Sequence, residues 1–186
     1  FTNNEFTKCF VYIVRDPRNL VNSISNHFSK SVEDSKNFLF APKIITKFEK
    51  EDDLDNGSLI TLLGTWNEHY NFWKNNNENF LLIKYEDLIN NTNSELDKII
   101  AFIKRFTPIQ TDEIKNKKII KTTNFNYLQN LEEKGGFDEN AYDTNDTKKK
   151  FFNLGPKNNW ENNLNKKIKD EIELKFYVEM KELGYL

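Results

Sequence analysis

Cys9-Phe10-Val11-Tyr12-Ile13-Val14-Arg15-Asp16-Pro17 reads as a strand, a tight turn and the first residue of a helix. Residues 9–14 are apolar without alternation and rich in β-branched and aromatic side chains. That is the pattern of a parallel strand covered on both faces. Asp16 is a good helix N-cap, and Pro17 suits the first helical position, where its missing N–H costs nothing. Leu20, Val21, Ile24 and Phe28 then follow at helical spacing. Phe80-Leu81-Leu82-Ile83-Lys84-Tyr85 is a second run of the same kind, with Glu86-Asp87-Leu88 directly after it. The two runs predict parallel neighbours in one sheet, the second ending at Tyr85, and therefore an α/β fold with helices on the sheet.

The remaining chain supplies helices. Residues 31–57 predict a short helix and a mobile charged loop. Ser58 opens a predicted helix carrying Ile60, Leu62, Leu63, Trp66, Tyr70 and Trp73, which stops at Asn75-Asn76-Asn77. Beyond the second strand, Ser94-Glu95-Leu96-Asp97 opens a helix through Ile99, Ile100 and Phe102 to Phe106. Thr111-Asp112-Glu113 caps another, and Phe125-Asn126-Tyr127-Leu128 begins a third. Gly135-Gly136 breaks the pattern, and 137–159 is polar around Lys148-Lys149-Lys150. A loop that long in a compact domain carries function or is disordered. An amphipathic helix closes the chain from about Asn163 to Leu183. Two strong strands are few for a sheet, so the chain reads as the second half of a larger one.

Composition narrows the function. The 186 residues suit one domain, spanning 1–186. Lys and Arg number 27 against 29 Asp and Glu, a net charge of −2, which argues against a nucleic-acid partner but leaves room for a local basic pocket. One cysteine, Cys9, leaves no internal disulfide or multi-Cys zinc site, and its place in a strand marks it as core. No apolar run approaches the ~20 residues of a membrane span. The chain opens on Phe1 rather than Met, as a processed or truncated chain would. The 6 glycines form neither a dinucleotide fingerprint nor a P-loop. His27 and His69 have no third partner at ligand spacing and read as ordinary helical residues.

Two constellations could carry chemistry. Arg15 stands at the C-terminal edge of the sheet, where open α/β folds bind ligands, and Ser23 lies two turns into the helix. A guanidinium fork, a hydroxyl and a helix start together make a sound phosphate site; a solvent-facing arginine and serine are the plain alternative. At the second strand end Tyr85 could stack on a base. Its plain alternative is a tyrosine finishing a strand, with Glu86 and Asp87 complementing a helix dipole.

Taken together, these segments resemble the sulfotransferases that use 3′-phosphoadenosine 5′-phosphosulfate (PAPS), the bacterial branch more than the animal one. Val11-Tyr12-Ile13-Val14-Arg15-Asp16-Pro17-Arg18-Asn19-Leu20-Val21-Asn22-Ser23 resembles the family's 3′-phosphate segment, with a serine eight residues after the arginine. Gly64-Thr65-Trp66 with His69-Tyr70 resembles the helix before the next strand. Leu82-Ile83-Lys84-Tyr85-Glu86-Asp87-Leu88 resembles the following strand end. Thr123-Asn124-Phe125 resembles the element bordering the adenine, and Gly155 with Trp160 the closing Arg-Lys-Gly…Trp loop.

The resemblance implies a three-layer P-loop-type fold with a central parallel sheet, here mainly its C-terminal part. It also implies sulfuryl transfer from PAPS to a hydroxyl or amine of a small molecule or carbohydrate, releasing 3′-phosphoadenosine 5′-phosphate (PAP), with no metal. Arg15 and Ser23 would hold the 3′-phosphate, Tyr85, Thr123 and Phe125 would lie around the adenine, and Gly155 would offer its N–H. Asn153-Leu154 stands where the family has Arg-Lys, so Lys157 or Lys150 is expected to supply the missing charge. The family's phosphosulfate loop and histidine base would lie upstream of Phe1, so no catalytic residue is assigned. A non-catalytic nucleotide-binding module of the same fold and a P-loop kinase-like phosphotransferase are the competing readings, the latter with Glu86-Asp87 as its metal carboxylates. The expected location is the bacterial cytoplasm. Loop 135–159 is expected to fold over the cofactor, with Phe151 and Phe152 on the sheet edge and Trp160 as its anchor.

Overall fold

In the computed structural model residues 7–46, 60–75, 79–137, 141–142 and 147–186 are described. The chain begins with β1 (Phe10–Val14), α1 (Pro17–Phe28), α2 (Val32–Phe40), β2 (Lys43–Thr46) and β3 (Ile60–Leu63). Then come α3 (Trp66–Asn75), β4 (Phe80–Lys84), α4 (Tyr85–Asn90), α5 (Thr92–Lys104), α6 (Glu113–Thr123) and α7 (Phe125–Glu133). The last part holds β5 (Ala141–Tyr142), β6 (Lys148–Lys149), a 3-10 turn at Gly155–Lys157, α8 (Trp160–Asn163), α9 (Lys166–Lys175) and α10 (Tyr177–Glu182).

β1 and β4 pair in parallel, with Tyr12 opposite Leu82 and Val14 opposite Lys84. Side chains alternate across a strand, so the two faces can be read separately. Val14, Tyr12 and Leu82 join a core with Val21 of α1, Trp66 and Tyr70 of α3, Ile172 of α9 and Met180 of α10. Phe176, between α9 and α10, is fully buried in that core and meets Trp66 at 5.1 Å and Phe40 edge-on at 5.3 Å. On the other face α5 packs on β4. That face is covered unevenly: Ile83 is 2% exposed, but its in-register neighbour Ile13 is 51% exposed. The expectation of two covered faces therefore holds for β4 and not for β1.

Three expectations are corrected. The helix expected from Ser58 begins at Trp66, and Ile60–Leu63 instead pairs antiparallel with Lys43–Thr46. Ser58 and the charged loop 47–59 lie outside the described residues. Tyr85 does not end a strand: β4 stops at Lys84 and Tyr85 is the first residue of α4, so the chain turns into a helix with no intervening loop. The closing helix is two helices, because Phe176 leaves helical geometry (φ −113°, ψ 23°) to enter the core between them.

Candidate functional site

β1 delivers Arg15 to the C-terminal edge of the sheet, and α1 presents Ser23 to it. Arg15 Nη1 donates to Ser23 Oγ at 3.1 Å. The Arg15 guanidinium also lies 4.2 Å from the centre of the Tyr85 ring, which fixes its plane by a cation–π contact. Arg15 Nε is buried and has no hydrogen-bond partner among the described residues. An unpartnered guanidinium N–H is costly unless something accepts from it. Both Arg15 and Ser23 open on a cavity of about 750 Å³. Arg15 and Ser23 thus converge, as expected from their spacing.

The turn that aims Arg15 is held from below. The Asp16 carboxylate accepts from Arg18 N at 2.9 Å, Nε at 3.0 Å and Nη2 at 2.6 Å. Arg18 Nη1 reaches Glu173 at 2.5 Å and Nη2 the carbonyl of Tyr185 at 2.9 Å. Its guanidinium stacks 4.1 Å from the Trp160 ring. Burial opposes its charge, but Asp16 and Glu173 outweigh that and raise its pKa above the ordinary value. Glu86 completes the clamp: Oε1 accepts from the Asp16 N–H at 3.2 Å and Oε2 from the Tyr185 hydroxyl at 3.0 Å. Burial, with Glu86 beside it, holds the Tyr185 phenol far above its usual range. Glu86, a candidate metal carboxylate of the kinase-like reading, is therefore engaged in holding the turn.

The opposite wall comes from the long loop and from α6 and α7. Gly155 takes φ +49°, and a Cβ there would sit 2.2 Å from Phe125 Cε2. Only glycine permits both that dihedral and that contact. Phe125 and Thr123 line the cavity beside Gly155. Thr123 Oγ1 donates to the carbonyl of Ile119 at 2.8 Å, so its lone pairs face outward as acceptors.

The loop is strapped between helices α1 and α7. Glu132 accepts from the N–H groups of Phe151 at 2.6 Å and Phe152 at 3.0 Å, and Gln129 Nε2 donates to the carbonyl of Phe152 at 2.9 Å. From α1, Asn26 Nδ2 donates to the carbonyl of Lys150 at 3.0 Å. Trp160 is anchored as expected, its N–H donating to Asn19 Oδ1 at 2.8 Å.

Several expectations about this wall are corrected. Phe151 and Phe152 line the cavity and cluster with Phe137 at 5.1 and 4.8 Å, their backbone N–H groups held by Glu132 of α7. Lys150 does not supply a free cation: its ammonium pairs with Glu133 at 2.6 Å, which raises its pKa. Lys157 is exposed and does not line the cavity; the turn at Gly155–Lys157 buries Asn158 instead.

Asn158 was not legible as a site residue. Its Nδ2 donates to the carbonyl of Asn19 at 2.9 Å and to Ser23 Oγ at 3.3 Å, and Asn22 Nδ2 donates to its Oδ1 at 3.0 Å. Among 28 asparagines nothing local marks this one. The apolar wall from α4, α5 and α6, with Leu88, Ile89, Ile99 and Ile120, was also missed, since those residues read as helix core.

Comparison with known proteins identifies the family and the fold. Residues 7–184 match the family model described as a sulfotransferase domain. A guinea-pig (Cavia porcellus) 3-alpha-hydroxysteroid sulfotransferase is 29% identical over 125 residues, covering 66% of this chain and 39% of the relative. A 3-beta-hydroxysteroid sulfotransferase of the same animal is 28% identical over the same shares. The chain thus spans about two fifths of the length of the curated relatives it matches. The crystal structure of mouse sulfotransferase SULT7A1 complexed with PAP superimposes with a TM-score of 0.61 at 19% identity, over 92% of this chain and 58% of the mouse one. That likeness supports the P-loop-type fold. With a sulfotransferase model matched over almost its whole length, the chain belongs to the sulfotransferase family.

Proposed function

We propose that the cavity is the 3′-phosphoadenosine half of a PAPS site, in a protein that transfers a sulfuryl group from PAPS to a hydroxyl or amine. The observation that carries this is the Arg15–Ser23 pair, with the guanidinium stacked on Tyr85, in the wall of a large cavity. A phosphate would accept from the Arg15 guanidinium and from the serine hydroxyl, a charge-assisted contact worth roughly 1.5–3 kcal/mol. Gly155, which lets the Phe125 ring close on the loop, lines the same cavity and would offer its N–H to such an anion. Thr123, whose hydroxyl proton is spent on its own helix, is left as an acceptor suited to the exocyclic amine of adenine. Tyr85 and Phe125 supply aromatic walls for the base, while the exposed Lys157 is left out of this assignment.

PAPS would supply the sulfuryl group, and this chain's residues bind and orient its nucleotide. The acceptor would be chosen by the segment 31–57. The Asn-, Lys- and Ile-rich composition supports assignment to a bacterial member of the family, expected in the cytoplasm. Among the described residues no helix is long and apolar enough to cross a membrane.

Calorimetric titration with PAP, ADP and AMP tests the reading. PAP should bind at least about tenfold more tightly than AMP, since only PAP brings the 3′-phosphate to Arg15. ADP should resemble AMP. Equal affinity for PAP and AMP would overturn the assignment.

A further inference from the structure

Ser23 Oγ accepts two hydrogen bonds, from Arg15 Nη1 at 3.1 Å and from Asn158 Nδ2 at 3.3 Å. A hydroxyl has two acceptor lone pairs and one donor proton. Both acceptor positions of Ser23 are therefore filled by groups that can only donate, and its proton finds no acceptor among the described residues. The orientation of the Asn158 amide is fixed independently. The backbone carbonyl of Asn19 can only accept, so the group facing it at 2.9 Å must be Nδ2. Asn22 Nδ2 closes the other end on Asn158 Oδ1 at 3.0 Å. Asn158 is 8% exposed, so water does not readily replace these partners.

We infer that Asn158 is a positioning residue for the anion site. It locks the Ser23 hydroxyl rotor so that the serine is a committed donor aimed at the ligand phosphate. The chain has Asn153-Leu154 where the resembled family has an Arg-Lys pair, and the two lysines near that pair do not reach the cavity as free charges. A neutral amide preorganises one hydroxyl instead, which lowers the ordering cost of binding. The inference rests on the reading of the Arg15–Ser23 corner as a 3′-phosphate site.

The test is a double-mutant cycle on PAP affinity, with AMP as the internal control. Ser23→Ala and Asn158→Ala should each weaken PAP binding about tenfold and leave AMP binding nearly unchanged. Because Asn158 acts through Ser23, the double variant should lose about tenfold in total rather than about a hundredfold. A merely structural role for Asn158 predicts additive losses, or equal losses for PAP and AMP, and either result overturns the inference while leaving the nucleotide reading intact. If Asn158→Ala does not fold, Asn22→Ala loosens the same amide and should show the same coupling to Ser23→Ala at smaller amplitude; additivity there overturns it equally. If the unaltered chain binds PAP no better than AMP, the nucleotide reading and this inference fall together.

Discussion

Replacing Arg15 with alanine should weaken PAP binding roughly 10- to 150-fold, the equivalent of one charge-assisted phosphate contact. AMP affinity should change far less, so the preference for PAP over AMP should disappear. The effect is expected to be large because Lys150 is paired to Glu133 and Lys157 stands outside the cavity wall. Lysine should not rescue the site. An ammonium in place of the guanidinium keeps the charge but lacks the planar fork that donates to Ser23 and stacks on Tyr85. Titration calorimetry on Arg15→Ala and Arg15→Lys checks this. An equal loss for PAP and AMP, or full rescue by lysine, would place the 3′-phosphate elsewhere.

Asp16→Ala should destabilise the fold by about 3–5 kcal/mol, as expected when one partner of a buried ion pair is removed. Asp16 and Arg18 are 4% and 5% exposed. Without Asp16, the Arg18 guanidinium keeps only Glu173, the carbonyl of Tyr185 and the Trp160 ring. The same change deletes the N-cap of α1, whose carboxylate accepts from Arg18 N. Folded proteins hold only about 5–15 kcal/mol in reserve, so this is a large share of the total. Urea unfolding of Asp16→Ala against Glu173→Ala measures it. Glu173 lies at the solvent edge of the network, with its side chain 20% exposed, and its loss should cost clearly less. Equal losses, or an Asp16→Ala change below about 1 kcal/mol, would show that the buried pair does not hold the turn.

What could be read from sequence divides along the reach of the signals. The β1–turn–α1 unit is legible because all its signals are local: an apolar run, then Asp16 as cap and Pro17 at the first helical position. The parallel β4 is legible for the same reason, and so is the convergence of Arg15 with Ser23, which one strand and one helix bring about. The β2–β3 hairpin is not. Ile60, Leu62, Leu63 and Trp66 sit at spacings a helix would also accept, and the partner strand Lys43–Thr46 lies across a long charged insertion. The break at Phe176 is invisible because no Gly or Pro marks it; the ring leaves the helical path for a core shared with Trp66 and Phe40.

The site divides in the same way. Gly155 and Phe125 could be singled out one at a time by resemblance, but their contact is tertiary. A Cβ 2.2 Å from the Phe125 ring is a fact of packing. Lys157 and Lys150 drew attention as cations near the right glycine. Solvent exposure and Glu133 decide their fate, and neither is written in a local pattern. Asn158 is the opposite case: an unremarkable residue type whose role comes entirely from the carbonyl of Asn19 and the hydroxyl of Ser23, both remote in sequence.

The most direct measurement is a crystal structure of the chain with PAP bound. The 3′-phosphate should lie within about 2.7–3.2 Å of the Arg15 guanidinium and of Ser23 Oγ, with the adenine between Tyr85 and Phe125 and beside Thr123. A 3′-phosphate held instead by Lys157 or by Lys148-Lys149-Lys150, with no contact to the Arg15 guanidinium, would contradict the assignment of this corner.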